Sequence, residues 1–157
     1  MRRLAAAAFA ISAVLLSAWP AAAEEQPETK TFAFQQLRAA DAATVLRTIV
    51  GIRELTASDD HSLEITGEQA LVRLATELLS ALDALEVVRS QSFATGDDTV
   101  IAVIPLSEVS AADAMLSMRK LEIRRIAALD DGPVVVVRDT PDQVALAIDV
   151  LDDAASE

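Results

Sequence analysis

The stretch FQQLRAADA, residues 34–42, returns as LSEVSAADA at residues 106–114, so the chain carries the same pattern twice at a displacement of 72 residues. The displacement continues downstream without a gap and places Leu63 on Val135 and Leu79 on Leu151. A register that is kept through apolar and polar positions alike is typical of one supersecondary unit built twice. The fold is therefore predicted for one module and then for a pair.

Each module is predicted to run strand, helix, strand, strand, helix. In the first module, apolar residues alternate around Phe32 and Phe34, and a helix is predicted from Asp41 to Gly51 because apolar side chains recur at three- and four-residue spacing. The remaining elements are expected near residues 53–57, 63–66 and 71–82, and in the second module near residues 100–105, 111–120, 122–128, 134–138 and 140–152. The predicted fold is α+β: two tandem βαββα modules, each a three-stranded sheet packed on two helices.

Residues 1–23 have the features of a secretory signal peptide. Arg2 and Arg3 give a positive start, an apolar run follows to Leu16, and an A-x-A site precedes Glu24. The run is shorter than the roughly 20 apolar residues of a membrane span. We therefore expect a cleaved leader, a periplasmic mature chain and no membrane insertion of that chain. The other boundaries are predicted at 24–86 for the first module, 87–98 for a polar linker and 99–157 for the second module.

Charge restricts the partners. Cleavage would remove Arg2 and Arg3 and reduce the basic residues from 13 to 11 against 25 acidic ones, a formal charge of −14. A field of that sign repels phosphate backbones and anionic lipids. The order of elements resembles that of the RNA-binding KH fold, but neither module has the G-x-x-G loop which that chemistry needs. We expect no nucleic acid partner.

Residues suited to catalysis or metal binding are sparse. The chain has no cysteine, and its one histidine belongs to the predicted turn Asp59-Asp60-His61. The second module replaces this turn with Asp131-Gly132-Pro133, so we interpret it as a solvated turn rather than a metal site. Ser117 and Lys120 are interpreted as surface residues rather than as a nucleophile and its base. No catalytic residue, metal or cofactor is predicted.

The outer faces of the two predicted sheets differ. Side chains turned away from the helices are polar in the first module, as at Thr31 and Glu64, and apolar at the equivalent Val103 and Val136. Because strand side chains alternate between faces, the second sheet should be covered on both sides. The first module, the linker, another subunit or a partner protein could each supply the cover. We predict an interaction surface on this face and the last helix, made by Ile101, Val103, Val134, Val136, Val144 and Ile148.

The run from Phe32 to Asp83 resembles the short N-terminal periplasmic module of bacterial secretins, the secretin and TonB short N-terminal domain family. The shared features are a hydrophobic strand, an A-D-A helix start, an aspartate-bearing turn, an L-x-I-x-G strand and a helix that closes on Leu82-Asp83. Residues 101–152 resemble the module as well. In the family such modules stack into periplasmic rings, which implies a role in contact between proteins. Pore formation is not implied, because no segment after Asp152 could form the β-rich pore domain.

The sequence therefore predicts a non-enzymatic interaction or assembly component of a cell-envelope complex, such as a secretion or pilus-like system. Its partners would be envelope proteins, with self-association left open. The alternative is a soluble periplasmic protein that binds a small ligand in the cleft between the modules. A flat apolar patch would favour the first function, and a concave pocket with convergent polar groups the second.

The first testable prediction concerns export. The mature protein should begin at Glu24 and should appear in the periplasmic extract without detergent, because the A-x-A site follows the apolar run directly. N-terminal sequencing of the purified protein measures this. Recovery of intact residues 1–23 on membrane-bound protein would contradict the prediction.

Overall fold

The computed structural model describes residues 27–84, 89–129 and 133–155. Within these ranges the chain forms two units of the order strand, helix, strand, strand, helix, with one additional strand between them. The mixed α and β architecture predicted from the sequence is confirmed. The predicted signal peptide, residues 1–23, and the residues 130–132 of the second turn lie outside the described part of the chain.

The first module packs two helices on one face of an antiparallel sheet with the strand order β1-β3-β2. Its first helix continues directly into a π-helical segment that ends at Gly51, whose φ of 95° is a conformation that favours glycine. The end predicted for this helix is therefore correct. The elements are β1 (Glu28–Ala33), α1 (Ala39–Val45), the π-helical segment (Leu46–Val50), β2 (Glu54–Asp59), β3 (Ser62–Gly67) and α2 (Gln69–Asp83).

The second module repeats this frame. Its elements are β4 (Gln91–Ala94), β5 (Val100–Pro105), α3 (Ala111–Lys120), β6 (Arg125–Ala128), β7 (Val134–Asp139) and α4 (Pro141–Ala154). β5 and β7 begin and end 72 residues after β1 and β3. One backbone hydrogen bond also recurs: Phe34 N donates to His61 O at 2.7 Å, and Leu106 N donates to Pro133 O at 2.5 Å. The displacement read from the sequence is thus also a displacement of the folded backbone.

The second sheet differs from the prediction because it has four strands, in the order β4-β5-β7-β6. The extra strand β4 lies inside residues 87–98, which the sequence predicts as a linker. Its sequence, QSFA, contains a single large apolar residue and shows no alternation. Its conformation comes from antiparallel pairing with β5, from Gln91 opposite Val103 to Ala94 opposite Val100. Pairing with a formed edge, rather than local propensity, makes this segment a strand.

α1 and the π-helical segment lie between the two sheets. They pack on one face of the first sheet, while the π-helical segment also contacts β6 and β7, and α1 also contacts β6. Buried Ile49 and Val50 therefore share one apolar cluster with Ile101, Val103 and Val136. The opposite face of the second sheet is covered by α3 and α4, in a separate cluster. The resulting layers are sheet, helices, sheet, helices, and the second sheet is covered on both sides, as the apolar residues on both of its faces predict.

A substitution at Val136 tests whether the first module covers the second sheet. It is fully buried, so Val136→Lys loses an apolar burial worth roughly 1.5–3 kcal/mol and adds the cost of a buried charge. We expect the free energy of unfolding, measured by urea titration with circular dichroism, to fall by more than about 3 kcal/mol. The matched control is Glu64→Lys, 72 residues earlier on the exposed face of the first sheet, which should stay within about 0.5 kcal/mol. Normal folding of Val136→Lys would show that the face is not covered within the chain.

Candidate protein-interaction surface

The surface predicted from the sequence lies inside the molecule. Ile101, Val103, Val134 and Val136 are buried in the cluster shared with the first module, so no partner can reach them in this fold. Val144 is buried, and Ile148 is partly buried, in the cluster between the second sheet and its own helices. The prediction of an interaction surface at these six residues is therefore corrected. The first module, one of the four possible covers that the sequence leaves open, occupies this apolar face.

The junction between the modules contains an arginine that links the second sheet to the first module. Arg138 lies at the end of β7, 72 residues after Thr66, and its side chain is only 10% exposed. Its Nη1 donates to Ile49 O at 3.1 Å, at the end of the π-helical segment, where backbone carbonyls lack helical partners. Its Nε donates to Thr99 Oγ1 at 2.9 Å, and its Nη2 donates to Asp97 Oδ2 at 2.7 Å. The cation thus interacts with the negative end of a helix in the other module.

Asp97 is kept ionised by its own loop. The Thr95 hydroxyl, the Thr99 hydroxyl and the Thr99 backbone N–H all donate to its Oδ1. Together with Arg138 these donors hold the pKa of Asp97 well below its usual range. The sequence predicts a linker at residues 87–98 and does not indicate the contact of Asp97 with Arg138. The available signal was a basic residue at the end of a strand face that is otherwise apolar.

Asp83, the last residue of α2, ties this helix to the loop before α1. Its carboxylate accepts the backbone N–H groups of Gln35, Gln36 and Leu37 at 2.9–3.1 Å. Burial disfavours the charged form, but the three N–H donors outweigh it and, with nearby His61, lower the pKa of Asp83. An aspartate at a helix C-terminus is unfavourable to the helix dipole. That position was the signal that its partners lie elsewhere in the chain.

His61 joins the β2–β3 turn to the same loop. Its backbone N–H donates to Asp59 Oδ1 at 2.8 Å, and its ring Nδ1 lies 3.2 Å from Leu37 O. Within the described ranges, no group of three or more His, Asp or Glu side chains is placed to hold a metal ion. These contacts give the histidine a role in positioning the turn.

The first sheet has an unpaired edge at the position where the second sheet carries an additional strand. The ladder between β1 and β3 is unbroken, from Glu28 opposite Gly67 to Ala33 opposite Ser62, and no strand in the described part of the chain pairs with the other edge of β1. The equivalent edge of β5 carries β4. At the far side of the first sheet, β2 shifts register near Asp59, and such a bulge disfavours further pairing. The edge of β1 is therefore the one suited to accept a strand.

A groove of about 570 Å³ runs between this edge and α2. Its walls carry charges of both signs, with Glu28 and Lys30 on β1 and Arg73 and Glu77 on α2. Lys30 Nζ donates to Thr76 Oγ1 at 3.0 Å. Within the described ranges, no ion pair involves Glu28, Arg73 or Glu77. The charged groups of these three residues are thus open to a second molecule.

Comparisons with known proteins give limited similarities. No protein-family model and no curated protein matches the sequence. The solved structure of XcpQN012 is 17% identical with a TM-score of 0.36, over 80% of this chain and 61% of that chain. The Salmonella SPI-1 type III secretion injectisome basal body, with proteins InvG, PrgH and PrgK, contains a chain 15% identical with a TM-score of 0.29, over 83% of this chain and 30% of that chain. This chain therefore spans less than two thirds of either matched chain.

No helix in the described ranges is long and apolar enough to cross a membrane.

A substitution of Arg138 tests its contribution to the junction between the modules. Arg138→Met should lower the free energy of unfolding by about 1.5–3 kcal/mol, the range for hydrogen bonds to charged groups, because Ile49 O loses its donor. Urea titration measures the loss, and Arg124→Met, at an exposed position, is the control. A loss no larger than that of the control would show that Arg138 does not hold the modules together.

Asp97→Asn should cost less than Arg138→Met, because the Asp97 side chain is 55% exposed and exposed ion pairs contribute about 0–1 kcal/mol. Its folded pKa is lowered, so its contribution is fully present above the unfolded pKa of about 3.9 and is lost as pH falls through the lower folded value. The difference between the wild type and Asp97→Asn should therefore shrink only in strong acid. A difference that disappears already between pH 7 and pH 5 would contradict this assignment.

Proposed function

We propose that the protein is an exported, non-enzymatic component of a cell-envelope assembly, which acts by pairing with another polypeptide along the open edge of β1. The observation that carries the proposal is the contrast between two equivalent edges: the outer edge of β5 is paired with β4, whereas the outer edge of β1 has no partner among the described residues. An unpaired edge presents backbone N–H and C=O groups that an extended segment can satisfy. The chain itself contains an example of such pairing at the equivalent position.

The outer face of the first sheet fits a reversible contact. It presents mainly hydroxyl and carboxylate side chains, such as Thr31, Thr56 and Glu64. Interfaces between proteins that also exist separately are about as polar as the rest of the surface. A protein that joins an assembly after export must remain soluble on the way, and this face supports that requirement. The leader predicted at residues 1–23 and the resemblance of the sequence to the secretin module support the envelope location.

The alternative, a ligand-binding protein that uses a cleft between modules, has less support. The facing surfaces of the two modules share one apolar cluster, in which Val50, Ile101 and Val136 are buried. A binding cleft needs a concave space with convergent polar groups. The grooves at α1 and β2, at Gly51 and at α2 are each lined by residues of the first module.

Site-specific photo-crosslinking in living cells tests the proposed function. A photoreactive amino acid at Thr31 places the probe on β1, and the same substitution at Thr56 places it on the same face of the sheet but on β2. Both positions are exposed, so the pair is matched for side chain and solvent access. We expect covalent adducts with protein of the envelope fraction from position 31 and few from position 56. Equal yields at the two positions, or no adduct at position 31, would contradict the use of the β1 edge.

A further inference from the structure

We propose that the strand accepted by β1 is β1 of a second copy of this chain, in an antiparallel pair with Thr29 on the twofold axis. The proposal rests on the proposed function, since it names the partner of the same edge. A symmetric pair of this kind joins the two three-stranded sheets into one sheet of six strands, because each copy supplies the same surface. The charges along the edge decide the register.

Opposite residues in an antiparallel pair share one face of the sheet, so only registers that bring like faces together are allowed. With the twofold axis at Thr29, Glu28 of each copy lies opposite Lys30 of the other, and both side chains face the helices. Opposite charges at such positions are stabilising. With the axis at Lys30, two ammonium groups would face each other, which is destabilising. The alternation of acid and base on β1 is therefore self-complementary in one register.

The position of α2 is compatible with the same twofold axis at Thr29. α2 contacts both β1 and β3, so its axis lies over the space between these strands. With strands about 4.8 Å apart, two copies of α2 related by this twofold axis lie about 10 Å apart, the usual distance of packed helices. Arg73 and Glu77 lie one turn apart on α2 and both line the groove. Antiparallel copies of α2 can place Arg73 of each against Glu77 of the other.

Lys30 limits unspecific pairing at the edge of β1 in the separate chain. Its ammonium is bound to Thr76 and lies 5.4 Å from the centre of the Phe32 ring. A lysine that points inward on an edge strand opposes indiscriminate pairing. A partner with an acidic residue opposite this position satisfies it, whereas a purely apolar strand does not. The same residue therefore protects the edge and selects for a strand such as β1 itself.

The absence of cysteine from the chain allows a clean crosslinking test. In the proposed register the two Thr29 Cα atoms lie about 4.5–5.5 Å apart, within the range of a disulfide, whereas the two Thr31 Cα atoms lie about 14 Å apart. Purified full chains carrying Thr29→Cys, Thr31→Cys or Thr56→Cys are oxidised and compared on non-reducing gels. We expect a covalent dimer from Thr29→Cys alone. Equal dimer yields from all three variants, or none from Thr29→Cys, would overturn the proposal.

Charge reversal supplies a second test. Sedimentation equilibrium should show a dimer of the wild type, and Glu28→Lys or Lys30→Glu should each raise its dissociation constant by about 10-fold, because each places like charges opposite one another twice. The double variant Glu28→Lys with Lys30→Glu restores opposite charges and should recover most of the affinity. Circular dichroism confirms that each variant is folded. Failure of the double variant to recover affinity would overturn the register.

The outcomes separate this inference from the proposed function. A wild-type chain that remains monomeric near 100 μM, while position 31 still crosslinks in cells to a protein of another mass, would overturn self-pairing and leave the proposed function in place. Adducts of twice the chain mass from position 31 would support both. A monomeric chain with no adduct at position 31 would remove both proposals.

Discussion

The need to bury the outer face of the second sheet is the constraint on which the rest of the structure depends. Each valine or isoleucine on that face gains roughly 1.5–3 kcal/mol when it leaves water, so the face is costly to expose. Helices of the first module cover it, and they must then be apolar on two sides. Seven of the residues in α1 and the π-helical segment are buried apolar side chains, whereas α3, the equivalent helix at the outside, buries only Ala114 and Met118. The position of a helix in the layers thus decides its composition.

Local pattern predicts most of the secondary structure here, because most elements bury one periodic face. The bounds of β5 and β7 follow from continuous apolar runs, those of α3 follow from three- and four-residue spacing, and the proline after Thr140 marks the start of α4. β4 could not be predicted in this way. It is short and mostly polar, and its conformation depends on an edge formed by residues that follow it in the chain. A strand of this kind is specified by pairing rather than by its own sequence.

The functional surface was harder to predict, because alternation shows that a face is covered but not by what. The broad apolar stripe of the first helix compared with α3 was the signal that the cover comes from within the chain. Contacts between distant residues left weaker signals: Arg138 reaches Ile49, and Asp83 reaches Leu37, across 89 and 46 residues of sequence. Each of these two charged residues occupies a position that is locally unfavourable. Such local conflict is a useful indicator of a long-range partner.

The two modules differ chiefly in what their edges and outer faces meet. In the second module, the first module covers the outer face of the sheet, and β4 pairs with the edge of β5. In the first module, the outer face of the sheet and the edge of β1 are both open in the described part of the chain. Since the modules share an apolar cluster and the Arg138 contacts, the open edge is held on a packed scaffold, and a strand that pairs with it orders little besides itself. Binding then loses less conformational entropy than binding to a mobile loop would, so even a short strand pair can give a specific contact.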